Sequence, residues 1–183
     1  MPLIYIPKPL ANTAPSQVIT AIYFCAYAPT GVSGPAESSP SSSAKLTNHW
    51  VIYFAISSTH SIRFDPSPTG QNSSLDLIIT SKHYAFTENA AKVSHLTPAA
   101  GLTVGQVIDH IVNSKYDQYQ FSFSGQGCRY WVYSIATLLR SAGYLTSDAE
   151  VDAAARTLQV VWTTRGEPVA DVQQTGMTQG IFY

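Results

Sequence analysis

The stretch NHWVIYFAI, residues 48–56, opens the most regular pattern in the chain and decides its fold. It is apolar, β-branched and aromatic, and the turn residues SSTH close it. SIRFD (61–65) follows, then the polar connector PSPTGQNSS, then LDLIITSKHYAF (75–86). Short β-favouring runs separated by Ser/Pro/Gly/Asn clusters read as successive strands, and connections this short force neighbouring strands to run antiparallel. The expectation is a three-stranded meander at the centre of a sheet.

Upstream, QVITAIYFCAYA (17–28) has the same character and reads as a first buried strand. Between it and the meander lies PTGVSGPAESSPSSS (29–43), a Gly/Pro/Ser-rich flexible loop of the kind that serves as a lid or binding loop. Downstream, Val104, Val107, Ile108 and Ile111 form one apolar stripe. Thr103 and Gln106 stand at capping-box spacing, which predicts a helix over 103–113. The connector KYDQYQFSFSGQG leads into CRYWVYSIATLLRSAGYL. This reads as a helix from Cys128 to a terminating Gly143, burying Val132, Ile135, Leu138 and Leu139. A last helix starts at Ser147, with Glu150 completing another capping box, and runs to about Val161. The tail, 165–183, is polar and reads as loosely held apart from its final IFY. The class is α+β: one domain over 1–183, with an antiparallel sheet of four to six strands packed on the helix that carries the cysteine.

Composition narrows the function. The chain has 183 residues, 45% hydrophobic but only 11% charged, with a formal net charge of −1. Such a balance carries no electrostatic footprint for polyanions or membrane surfaces. Two cysteines make no disulfide framework. No apolar run is long enough to span a bilayer, and the start, MPLIYIPKPLANTAP, lacks the basic and uninterrupted apolar regions of a signal peptide. A cytoplasmic protein is expected. No His/Cys cluster has metal-ligand spacing and no glycine-rich phosphate loop is present, so neither metal nor cofactor is expected.

The chemistry centres on Cys128, preceded by Gly125-Gln126-Gly127 at a helix start. Free backbone N–H groups and the positive end of the helix dipole favour thiolate there. The small residues also let a substrate carbonyl approach N–H groups able to act as an oxyanion hole. Cys25, inside a smooth apolar run, reads as an inert core thiol. His49, at the opening of a strand, is the candidate base for Cys128.

NHWVIYF, then IRFDP, then GCRYWV opening a helix resembles the circularly permuted papain-like thiol enzymes, the group of lecithin retinol acyltransferase and its phospholipase/acyltransferase relatives. In that order the strand histidine comes first and the helix cysteine later. The resemblance implies His49 as base and Cys128 as nucleophile. It aligns Arg63 where the family has a second histidine. An arginine accepts no hydrogen bond, so the residue that orients His49 is Asp65, His60 at the turn, or neither.

NHW with the SKHYAFT and GCRYWV segments is similar to a group of small fungal proteins that includes arginine-containing cyclodipeptide synthases, enzymes of secondary metabolism. That resemblance implies aminoacyl-tRNA partners, arginyl-tRNA and a second one, with the first aminoacyl group held as a thioester on Cys128. Around the site, His83, Tyr84, Gly127, Arg129, Tyr130 and Trp131 are candidates for binding substrate. Asp65, Asp117 and Glu88 are candidates for pairing with a guanidinium. The competing expectations are a thiol hydrolase or acyltransferase acting on an amide, ester or lipid, and a non-catalytic binding module on the same fold.

Overall fold

In a computed structural model, described here for residues 3–31 and 45–183, the chain forms a six-stranded sheet with helices against it. The strands are β1 (Leu3–Tyr5), β2 (Ala21–Ala26), β5 (Trp50–Ala55), β6 (Ser61–Ser67), β7 (Asp76–Lys82) and β8 (Lys92–Leu96), in the order β1-β7-β6-β5-β2-β8. Two short pairs lie outside this sheet: β3 (Thr30–Gly31) with β4 (Leu46–Thr47), and β9 (Tyr119–Gln120) with β10 (Ile181–Phe182). The helices are α1 (Lys8–Thr13), α2 (Val104–Asn113), α3 (Cys128–Ser141) and α4 (Asp148–Leu158).

The expected meander is the sheet's centre. β5 pairs antiparallel with β6 (Ile52 opposite Phe64) and β6 with β7 (Phe64 opposite Ile79). β5 is buried along its whole length, which is why its sequence runs apolar without alternation. One face (Trp50, Ile52, Phe54, Ile62, Phe64) meets Trp131, Val132, Ile135 and Leu139 of α3 in the main core. The other face carries a second cluster, Cys25, Val51 and Tyr53, covered by Tyr23, Tyr27, Phe86 and Val93.

α2 has its complete capping box, Thr103 to Gln106 in both directions. α3 ends as its Gly143 suggests. That glycine has φ +70°, and Tyr144 N–H reaches back to Leu139 O at 2.9 Å, as a left-handed helix terminus requires.

Several expectations are corrected. The six strands fall within the four to six expected, but β8, on the far side of β2, and β1 are not read from the sequence. β1 also runs parallel to β7, so the sheet is mixed rather than antiparallel. The strand after the second turn stops at Lys82, so His83–Phe86 lie outside it. α4 ends at Leu158, and its capping box is half made. Ser147 Oγ accepts from Glu150 N–H, but the Glu150 carboxylate takes Thr97 N–H (2.7 Å) and Thr97 Oγ1 (3.0 Å) instead. The loop expected at 29–43 is described only at its start, where Thr30–Gly31 form β3; 32–43 lie outside the described residues.

The tail is not loose. Arg129 donates to Thr175 O and Gly176 O at 2.7 and 2.8 Å, and Gln174 bonds both backbone groups of Val161. β10 then pairs with β9. This strap passes so close to Tyr119 that a Cβ on Gly180 would stand 2.3 Å from Gln120 O, whereas one on Gly176 meets nothing. Gly180→Ala should therefore lower stability by about 1–3 kcal/mol, the usual cost of overpacking. Gly176→Ala should leave the melting temperature within about a degree of the parent, and paired thermal unfolding curves check both.

Candidate active site

The turn before α3 delivers Cys128 to the open end of the sheet. Its last residue, Gly127, has φ +144°, and a Cβ there would lie 2.6 Å from the Tyr119 hydroxyl, so only glycine fits on both counts. Tyr119 buttresses the turn from behind: its hydroxyl donates to Gly127 O (3.0 Å) and accepts from Gly180 N–H of the tail (2.8 Å). Cys128, only 9% exposed, is the first residue of α3.

Opposite it stands His49, the residue that immediately precedes β5. His49 Nε2 stands 2.6 Å from Asp65 Oδ1, on the neighbouring strand β6. Asp65 Oδ2 in turn accepts from Arg63, two residues back on the same strand. Asp65 is thus the orienting group. His60 lies on the turn at the other end of the strands, where its Nε2 meets His83 Nδ1 at 3.2 Å. Arg63 serves the carboxylate, not the imidazole. With Nε2 occupied by Asp65, Nδ1 is the ring nitrogen left to face the sulfur, and His49 and Cys128 line the same cavity.

Each charge perturbs the next. Burial would lower the His49 pKa, but hydrogen bonds to Asp65 and Cys128 and their negative charges outweigh it, and the ring is pushed up to about 10. Burial would raise the Cys128 thiol, yet the hydrogen bond and charge of His49, with Trp50 N–H and the Arg129 charge, hold it below the ordinary thiol value. Burial likewise opposes ionisation of Asp65, and His49 and Arg63 together reverse it, keeping the carboxyl below its usual range. These directions favour a thiolate beside an imidazolium, while the Asn48 carbonyl, 3.6 Å from the sulfur, favours the protonated thiol. Cys25 is the contrast: buried on the second sheet face, it is pushed up to about 12.

A cavity of about 200 Å³ opens onto the sulfur. Its described walls are Thr30 and Gly31 of β3, Thr47 of β4, Asn48, His49, Pro68 and the 124–126 turn. A larger cavity of about 260 Å³, between Gln71–Ser74, Gln120 and Tyr183, touches none of the charged array.

Most of the expected binding residues lie elsewhere. His83 and Tyr84 follow Lys82, at the end of the sheet away from His49. Tyr84 O accepts from Ser61 Oγ, and the Tyr84 ring packs on Tyr53. Arg129 is buried, with its guanidinium given to the tail carbonyls. Tyr130 packs on Phe182, and Trp131 is fully buried with its indole N–H on Tyr116 O. Gly127 shapes the turn without lining the cavity. No carboxylate lines the described walls. Asp65 is committed to His49 and Arg63, Asp117 has a buried oxygen without a partner, and Glu88 is not among the lining residues. Asn48 and Gln126 line the cavity unanticipated, although each stands beside a residue that the sequence marks, in NHW and in GQGC.

Among the described residues no helix is long and apolar enough to cross a membrane, and no group of three or more His, Cys, Asp or Glu is placed to hold a metal ion. The chain belongs to the family described as domain of unknown function DUF7770, whose model matches residues 22–183. No curated protein and no solved structure matches it.

With limiting iodoacetamide at pH 7, Cys128 should be alkylated well before Cys25, because the thiolate is the reacting form. Asp65→Asn removes the anion that holds the His49 proton, so the pH midpoint of Cys128 alkylation should rise. The Asp65 carboxyl titrates below its unfolded value, so its stabilisation is present above about pH 4 and is lost as pH falls through the depressed value. Asp65→Asn should therefore cost more stability at pH 7 than at pH 3, as denaturant titrations at the two pH values can check.

Proposed function

We propose that this member of the family is a cysteine-dependent acyltransferase on a circularly permuted papain-like scaffold. The observation that carries the reading is the Arg63–Asp65–His49–Cys128 array ending at a helix N-terminus inside a cavity. A sulfur kept as thiolate by its base, with the base oriented by a carboxylate, is the arrangement nucleophilic acyl transfer needs. The thiolate attacks an ester carbonyl, the C–S bond forms, and the negative charge moves to the carbonyl oxygen beside the backbone N–H groups at the start of α3. The intermediate collapses by breaking the ester C–O bond, and His49 gives its proton to the leaving oxygen. An incoming amine then attacks the thioester, His49 accepts the amine proton, and the thiolate departs.

The resemblance to the fungal synthases makes aminoacyl-tRNA the donor in this reading. The first aminoacyl group is held on Cys128, the amine of a second aminoacyl-tRNA takes it, and attack of the new N-terminal amine on the remaining ester closes the ring and releases the tRNA. Arginine is one of the two residues joined. The chain lacks a phosphate-binding loop with which to activate free amino acids, which favours an acyl group that arrives already activated.

The test incubates the protein with arginyl-tRNA synthetase, tRNA, ATP, arginine and other amino acids and looks for cyclic dipeptides by mass spectrometry. Product should disappear with RNase and with Cys128→Ala, and His49→Ala should slow it by about 100-fold or more. Product that survives RNase overturns the tRNA step. A thioester on Cys128 that only water discharges makes the protein a hydrolase.

A further inference from the structure

Asn48 is fully buried, and both of its amide N–H groups and its carbonyl oxygen are engaged. Its Nδ2 donates to Tyr27 O (2.8 Å) and to Trp162 O (2.9 Å), and its Oδ1 accepts from Trp162 N–H (2.7 Å). One amide thereby joins three segments: the end of β2, the strand-like stretch after α4, and the residue before His49. The backbone of the same residue touches the nucleophile, for Asn48 O lies 3.6 Å from Cys128 Sγ. Two residues on, the Trp50 N–H is among the groups that hold the Cys128 thiol below its ordinary value. The backbone from 48 to 50 thus presents the sulfur with one acceptor, one donor and, between them, the imidazole.

We propose that Asn48 is a positioning residue for the Cys128–His49 pair, acting by fixing the backbone that carries all three groups. The proposal rests on the acyltransferase reading. A carbonyl facing the sulfur favours the protonated thiol, whereas the Trp50 N–H and the imidazolium favour thiolate. The balance depends on how the 48–50 backbone is turned; Tyr27 N–H holds the His49 carbonyl at 2.8 Å and Trp50 pairs with Ala26, which leaves the peptide of residue 48 to be fixed by its own side chain. The three bonds of the Asn48 amide set it from outside the strand. A small polar group would fill the space but not supply one acceptor and two donors in the directions that Tyr27 and Trp162 require.

The control lies in the same neighbourhood. Gln174 clamps Val161 and Val169 from the opposite side, with Oε1 accepting from Val161 N–H (2.8 Å) and Nε2 donating to Val161 O and Val169 O. It steadies the segment that Asn48 holds without touching residues 48–50. Asn48→Ala and Gln174→Ala both sacrifice a buried amide clamp, so both should lower thermal stability. Only Asn48→Ala should move the thiolate.

The experiment measures the rate of Cys128 alkylation by iodoacetamide from pH 4 to pH 10 in the parent, Asn48→Ala and Gln174→Ala, with circular dichroism on each. The expected result is an alkylation midpoint raised by about one pH unit or more in Asn48→Ala and a parental midpoint in Gln174→Ala. Should Asn48→Ala not fold, Asn48→Ser, which keeps a hydroxyl in place of the amide, is read the same way. A folded Asn48 variant with the parental midpoint overturns the proposal, as does a Gln174→Ala midpoint shifted equally. A parental midpoint at the ordinary thiol value instead fails the acyltransferase reading itself, so the two failures are distinct.

Discussion

The 2.6 Å bond between His49 and Asp65 is the constraint on which the rest of the site depends. It crosses from the start of β5 to the far part of β6, so it exists only when those strands pair in the register that sets Ile52 against Phe64. A slip of one residue would turn Asp65 to the other face of the sheet and seat an apolar side chain in its place. The register is held by the core. Ile52, Phe54, Ile62 and Phe64 project towards α3, and any slip would expose them. The apolar packing that buries α3 against the sheet therefore also brings its first residue, Cys128, to the end of β5 where His49 waits.

The reach of the sequence followed the kind of signal each feature leaves. The meander, α2, α3 and the placing of Cys128 and His49 at one cavity were legible because apolar periodicity, caps and a glycine-flanked helix start are local patterns. β1 and β8 were not. β1 is three residues beside prolines, and β8 is five residues with Lys92, Ser94 and His95 among them, too short and too polar to register as strands. The tail misled for a different reason. It is anchored by carbonyl oxygens taken by Arg129 and by the Gln174 amide, and backbone acceptors have no composition to read.

The substrate-binding residues show the same limit within the site. Arg129, Tyr130 and Trp131 follow Cys128 in sequence, yet successive helix residues point about 100° apart, so neighbours in the chain leave the sulfur at once. Arg129 turns into the tail, Tyr130 to Phe182 and Trp131 into the core. The cavity walls come instead from β3, β4, Pro68 and the turn before the helix, segments far apart in the chain. Arg63 was suspected through alignment alone. Its place beside Asp65 follows from strand geometry, since residues two apart on a strand share a face.

In the proposed resting state the four charges alternate in sign along the array: Arg63 positive, Asp65 negative, His49 positive, Cys128 negative. Two of the forces holding the proton on His49 come from the sulfur, one a hydrogen bond and one its charge. A thioester carries neither a proton nor a charge. Under the proposed chemistry, acylation removes both forces at once and leaves Asp65 alone to oppose the burial that disfavours imidazolium. His49 then holds its proton less tightly, which is the condition for passing that proton to the leaving oxygen in the first half-reaction. In the second half-reaction the neutral ring is the base that an incoming amine requires, and release of the thiolate restores the imidazolium. Tyr27 supports this exchange. Its ring stacks over His49 with centroids 6.2 Å apart and lies 5.5 Å from the Arg63 guanidinium, so it touches both cations of the array. A single array can therefore alternate between acid and base without any residue changing place, because the covalent state of Cys128 sets the proton affinity of its neighbour.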